Sequence, residues 1–129
     1  MASTGTHKQP AQIRKEESRK AVRASLDTYN QSPRKVRLVT DMVKGKKVAD
    51  AVAALRFLPK RASEPVRKLI ESAAANAKDR GIEGTLTVAE IRVDAAPTLM
   101  RSMPRAMGRS APIRRRRSRL FVRLASDAS

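Results

Sequence analysis

The chain has 129 residues, 40% of them apolar, and its 29 Lys and Arg against 12 Asp and Glu leave a formal net charge of +17. That size suits one domain of modest core with extensions, and self-repulsion on this scale favours a polyanionic partner. There is no Cys, which removes disulfides, thiolate chemistry and cysteine metal sites together, and no apolar run approaches the roughly 18 residues a membrane span needs.

The first residues, MASTGTHKQPAQIRKEESRK, lack the apolar centre of a secretory signal, so a soluble cytoplasmic protein is expected. Residues 1–19 are polar and charged with little to bury, and read as a flexible basic tail ahead of a single domain over 20–129. From Ala21 the pattern alternates: Val22, Ala24 and Leu26 fall on one face and Arg23, Ser25 and Asp27 on the other, the period of a half-buried strand.

Ser32-Pro33 then reads as an N-cap followed by proline at the first helical position, where its missing N–H costs nothing. Val36, Val39 and Val43 form an apolar stripe at helical spacing, and Gly45 ends that helix. A second helix places Val48, Ala51, Val52, Leu55 and Leu58 on one face and stops at Pro59. The third carries Val66, Leu69, Ile70, Ala73, Ala74 and Ala77 inward, with Ser63 as its expected cap and Gly81 at its end.

After Gly84 the period returns to two, with Ala89, Ile91, Val93 and Ala95 expected inside and Glu90, Arg92 and Asp94 outside. A matching strand lies near the C-terminus, where Leu120, Val122 and Leu124 alternate with Arg119, Phe121 and Arg123. Pro97, Pro104, Gly108 and Pro112 lie between them, tolerable at edges, bulges and turns but not in a central strand. The economical arrangement is a long two-stranded ribbon over about residues 88–122, bent at its tip. With roughly ten residues per arm it would extend on the order of 30 Å, and such a ribbon needs a partner to hold it in water. The pattern as a whole is α+β: three helices on a three-stranded antiparallel sheet with a long β-hairpin.

Residues 96–123 of this ribbon hold no acidic residue. A charge run usually marks a solvated face, and lysines such as Lys68 and Lys78 on the third helix read that way. Arg114 to Arg117 do not, because four consecutive arginines in a strand put cations on both faces without counter-charge. The planar guanidinium can fork onto phosphate oxygens and stack on bases, which points to phosphate neutralisation ahead of a localisation signal. Arg34, Lys35 and Arg37 crowd a helix N-terminus, where cations are unfavourable for the helix but an anionic partner is welcome. Lys44, Lys46 and Lys47 extend that edge.

Catalysis finds little footing. His7 is the only histidine and lies in the tail; no glycine-rich phosphate loop or metal-ligand spacing occurs, so no cofactor is expected. Glu90 and Asp94 flank Arg92 and read as cross-strand ion-pair partners. Tyr29, Phe57 and Phe121 are the only aromatic residues, too few for a ring-lined single-strand reader. Met100, Met103 and Met107 read as tip residues that fill gaps or pack on bases. Charge alone leaves duplex DNA, RNA and acidic surfaces open. A membrane-active cation is disfavoured because the densest charge lies on a proline-punctuated ribbon without Trp.

Three sets of residues occur together and in order: Ser32-Pro33-Arg34-Lys35-Val36-Arg37 with Val43-Lys44-Gly45; Glu71-Ser72-Ala73 with Ala75-Asn76-Ala77; and Met103-Pro104-Arg105-Ala106 with Gly108-Arg109. From about Arg23 to Ala125 the chain resembles the bacterial large-subunit ribosomal protein twenty-two family. The resemblance implies a structural protein, not an enzyme, that binds 23S rRNA across several domains, supports early assembly of the large subunit and meets neighbouring ribosomal proteins. It also implies that the hairpin tip, Met103, Pro104, Arg105, Ala106, Met107, Gly108 and Arg109, lines the exit tunnel and faces the nascent polypeptide. The resemblance places Arg34, Lys35 and Arg37 on the rRNA-facing surface of the body, and with the charge pattern the expected rRNA-binding set is Ser32, Arg34, Lys35, Arg37, Lys44, Lys46, Lys47, Lys60, Arg61, Arg92, Arg101, Arg114, Arg115, Arg116, Arg117 and Arg119. Met100 and Met107 stand where the family commonly has basic residues, and Arg117-Ser118-Arg119 where Thr-Ser-His is usual.

Overall fold

The computed structural model describes residues 10–12, 22–82 and 84–126. The expected tail lies outside the described residues except for 10–12, which are helical; His7 lies outside them too. The elements run β1 (Val22–Tyr29), α1 (Pro33–Val43), α2 (Val48–Phe57), α3 (Ser63–Asp79), β2 (Leu86–Pro104), a single 3₁₀ turn (Ala106–Gly108) and β3 (Ser110–Ser126). The sheet is antiparallel in the order β1-β3-β2, so the last strand of the sequence is the central one.

The apolar stripes meet over one face of this sheet. Val36, Val39 and Val43 of α1, Ala51 and Leu55 of α2, and Val66, Leu69, Ile70, Ala73 and Ala77 of α3 form one buried cluster with Val22, Val88, Ile91, Val93, Leu120, Val122 and Leu124. The α+β reading and its three helical stripes hold. In β3 the alternation is regular, with Ser118, Leu120, Val122 and Leu124 all buried.

In β2 the expected alternation slips. Ala89 and Ala95 are exposed while Val88 and Ala96 are buried. Between Val88 and Glu90 the register against β3 shifts, leaving Ala89 as an extra residue that turns outward; a bulge inserts one residue and reverses the facing of the strand beyond it. A second shift lies between Ala96 and Leu99, beside Pro97, which has no N–H to give to the ladder.

Ser63 is not the cap expected of it. Its N–H donates to the Lys60 carbonyl at 3.1 Å and that of Val66 to the Ala62 carbonyl at 3.2 Å. Helical geometry therefore starts at Ala62, and Ser63 becomes the first helical residue, buried, with no capping bond. Ser32 does occupy the N-cap position of α1 with Pro33 behind it, but its side chain makes no cap; its carbonyl accepts instead from Lys35 and Val36, each at 3.2 Å.

The turn between α1 and α2 is stitched to the start of β2. Gly45 N–H donates to the Val88 carbonyl at 3.0 Å, Val88 N–H donates to the Lys46 carbonyl at 2.9 Å, and Lys47 bridges to Thr87. Gly45 adopts φ +80° with nothing within 4 Å of an added Cβ, so a substitution there costs backbone strain and no clash. Gly45→Ala is expected to destabilise by about 1 kcal/mol, lowering the thermal midpoint by roughly 4–8 °C in a calorimetric melt.

The last partner of β1 on β3 is Ser118, opposite Tyr29. Beyond it the β2–β3 ladder continues from Ala96 opposite Arg117 to Pro104 opposite Ser110. These two-stranded arms, residues 97–104 and 110–117, span roughly 25 Å at about 3.3 Å per residue.

Candidate nucleic-acid interface

The base of the ribbon meets the N-terminus of α1. Asn30, Gln31, Ser32, Lys35 and Arg61 line one wall of a groove, and Leu99 with Arg114, Arg115, Arg116 and Arg117 line the other. A second depression beside it is lined by Ser32, Pro33, Arg34, Arg37, Ala95 and Arg116. Ser32 and Arg116 border both. The fold thus brings Ser32, Arg34, Lys35, Arg37 and Arg61 beside arginines that are distant from them in sequence.

Three hydrogen bonds hold this junction. The buried Ser118 hydroxyl donates to the Gln31 carbonyl, fixing the loop before α1 to the central strand. Arg37 Nη2 donates to the Val93 carbonyl at 2.9 Å, tying α1 to β2. Arg117 Nε donates to the Pro97 carbonyl at 3.0 Å, where the register shift has freed that acceptor from the ladder. Arg37 and Arg117 therefore each spend part of their donor capacity on position, and the guanidinium keeps further donors to offer.

Among the described residues, charge around the groove is uncompensated. Ion pairs of the body include Arg67–Glu71 at 3.1 Å, Arg56–Glu71 at 3.9 Å, Lys68–Glu64 at 3.3 Å, Arg123–Glu90 at 3.4 Å and Arg92–Glu90 at 3.7 Å. These lie on α2, α3 and the sheet face away from the helices. Among the described residues, none of Arg34, Lys35, Arg37, Arg61 or Arg114 to Arg117 has a carboxylate within 4.0 Å. Exposed ion pairs stabilise little in themselves; what matters is that acids are placed beside other cations and not beside these.

Other residues of the expected set lie apart. Lys44, Lys46 and Lys47 are exposed after the far end of α1, roughly 16 Å from the groove along an 11-residue helix. Lys60 is exposed next to Arg61 and lines a depression with Arg56, Glu64 and Arg67. Arg92 lies on the outer sheet face, its guanidinium 4.9 Å over the Phe121 ring and 3.7 Å from Glu90, so it is engaged within the chain. Glu90 makes the cross-strand pair with Arg123. Asp94 stands opposite Arg119 in register, without an ion pair within 4.0 Å among the described residues. Arg101 is exposed on the ribbon and donates to the Met100 carbonyl at 3.0 Å.

At the tip, Arg105 N–H donates to the Arg109 carbonyl at 2.6 Å, closing a loop around the 3₁₀ turn. Met107 and Gly108 reverse the chain with φ of 63° and 68°. A left-handed methionine is unusual, since its Cβ crowds the following carbonyl, and this one is 98% exposed. Asn30, Gln31 and Leu99 line the groove although nothing in their residue types marks them; only the pairing of β3 beside the loop before α1 brings them there.

Among the described residues no group of three His, Cys, Asp or Glu could hold a metal ion, and no helix is long and apolar enough to cross a membrane. An α+β body whose cations collect, without a carboxylate partner among the described residues, where a ribbon leaves a helix end has the charge layout that suits a polyanion. The sequence matches the family described as ribosomal protein L22p/L17e over residues 24–125, and the chain belongs to that family of structural ribosomal proteins, which are not enzymes. It is 54% identical over 93 residues to the large ribosomal subunit protein uL22 of Desulfitobacterium hafniense (strain Y51), covering 70% of this chain and 82% of that protein. With uL22 of Deinococcus radiodurans it shares 51% over 100 residues, 76% and 75% of the two chains. With that of Geobacter metallireducens it shares 48% over 105 residues, 80% and 96%.

Proposed function

We propose that the chain binds 23S rRNA as a structural component of the cytoplasmic large ribosomal subunit, supports its early assembly, and carries its ribbon tip to the wall of the nascent-peptide exit tunnel. The observation that supports rRNA binding best is the groove in which Lys35, Arg61 and Arg114 to Arg117 converge, with no carboxylate within 4.0 Å of them among the described residues. Cations held at that spacing neutralise phosphates from more than one strand and release the counterions condensed there. RNA helices that would otherwise repel one another can then pack around the ribbon, and their packing supplies the partner that the two-stranded arms lack. Neighbouring large-subunit proteins would complete that packing, and Met103 to Arg109 would face the nascent polypeptide.

The division of labour between body and tip is open to a direct test. A variant shortened across residues 101–109 is expected to keep binding 23S rRNA through the untouched groove, with affinity lowered only by the loss of Arg101, Arg105 and Arg109. The large subunits it enters should show altered chemical reactivity of tunnel-wall nucleotides. Loss of all rRNA binding would contradict the division. Duplex DNA as the true partner is excluded if it fails to compete with rRNA at equal nucleotide concentration.

A further inference from the structure

Phe57 is the most exposed aromatic residue of the body, with 88% of its surface open to solvent. The burial pattern of α2 explains why the core does not take it: Ala51 and Leu55 are buried and Val48, Val52 and Leu58 pack against them, which leaves the arc of Asp50, Ala53 and Phe57 outward. The residues three and four before the ring are Ala54 and Ala53, so the preceding turn offers it nothing to lie on. A solvated phenyl ring at a helix end gains nothing for the fold.

The chain that follows it is cationic. Lys60 and Arg61 follow it by three and four residues; Arg61 lines the groove with Lys35 and Arg114 to Arg117, and Lys60 lines a separate depression with Arg56, Glu64 and Arg67. The acids on this side are already engaged, Glu71 with Arg67 and Arg56 and Glu64 with Lys68, while Asp50 lies two turns back along α2. A track of two cations, Arg61 on the groove and Lys60 next to it in the chain, therefore leads from the ribbon base towards Phe57.

We propose that Phe57 stacks an unpaired rRNA base at the end of this track, with Lys60 and Arg61 neutralising the phosphates that flank it. The inference rests on the rRNA-binding reading and extends it to the opposite side of the 58–61 loop. A protein neighbour would also cover an apolar ring, but an aromatic followed by Lys60 and Arg61, neither with a carboxylate within 4.0 Å among the described residues, matches the alternation of base face and phosphate along a single strand.

The chain contains no Trp, so Phe57→Trp in the full-length protein provides a single fluorescent reporter. Titration with a 23S rRNA transcript is expected to quench its emission, and poly(A) to quench it more than poly(U), since purines stack more strongly. Phe57→Ala should bind the transcript on the order of tenfold more weakly with an unchanged dependence on salt, and Phe57→Tyr should retain affinity. If the tryptophan emission is unmoved at saturating transcript, the stacking site is wrong although rRNA binding stands. The same holds if its emission shifts only when other large-subunit proteins are added, which would assign the ring to a protein neighbour. If the protein does not bind the transcript at all, the rRNA reading itself falls.

Discussion

Replacing Arg114, Arg115 and Arg116 together with Gln is expected to weaken binding to 23S rRNA on the order of a hundredfold at moderate salt, with the thermal midpoint within a few degrees of the parent. Each of these side chains is exposed and none has a carboxylate partner among the described residues, so the body loses little. Arg117 is kept because its Nε holds the Pro97 carbonyl. A charge-assisted contact of about 1 kcal/mol or more at each of three sites sums to roughly two orders of magnitude in affinity. The stronger signature is the salt dependence. Each phosphate neutralised contributes about 0.7–0.9 to the slope of log affinity against log salt, so the triple variant should be less steep by about two to three. An unchanged slope in a filter-binding series would mean that these arginines touch no phosphate, whatever happened to the affinity itself.

The groove is not legible in the sequence as a groove because of where its two walls lie. The stripes of α1 and α3 and the alternation of β3 do show themselves in sequence, because each buries one face, and burial on one face enforces a period. The cations of Arg34 to Arg37 and of Arg114 to Arg117 are each legible as phosphate partners on their own. Their meeting depends on β3 pairing between β1 and β2 and on Ser118 reaching Gln31, 87 residues away, which no local pattern carries. Arg92 shows the converse. By charge it belongs with the rRNA set, yet it stands opposite Phe121 across the ladder and lies over that ring. Ala89 reads as an inward residue because a bulge leaves no mark in a two-residue period, and the left-handed Met107 is invisible because residue type forbids nothing that a tight tip can impose.

Leu120→Ala is expected to be the most destabilising single change in the body, and its comparison with Ile113→Ala separates body from ribbon on one strand. Leu120 is fully buried at the centre of β3, between Leu26 of β1 and Val93 of β2, with α1 and α3 packed above the sheet. Truncating a leucine so enclosed costs about 3 kcal/mol in transfer and cavity terms, which lowers the thermal midpoint by on the order of 10–20 °C. Ile113 lies on the same strand opposite Arg101, half-buried on the two-stranded arm and outside the buried cluster beneath the helices. Its truncation should cost less than about 1 kcal/mol and move the midpoint by a few degrees at most. Urea unfolding of both variants tests this: equal losses would place the arm inside the cooperative unit and remove the need for RNA to order it. Unequal losses mean that a strand continuous from body to tip is stabilised by packing at one end only. The arm would then be free to take its final geometry from the proposed RNA partner, while Ser118, Arg37 and Arg117 hold the base of the groove within the protein itself.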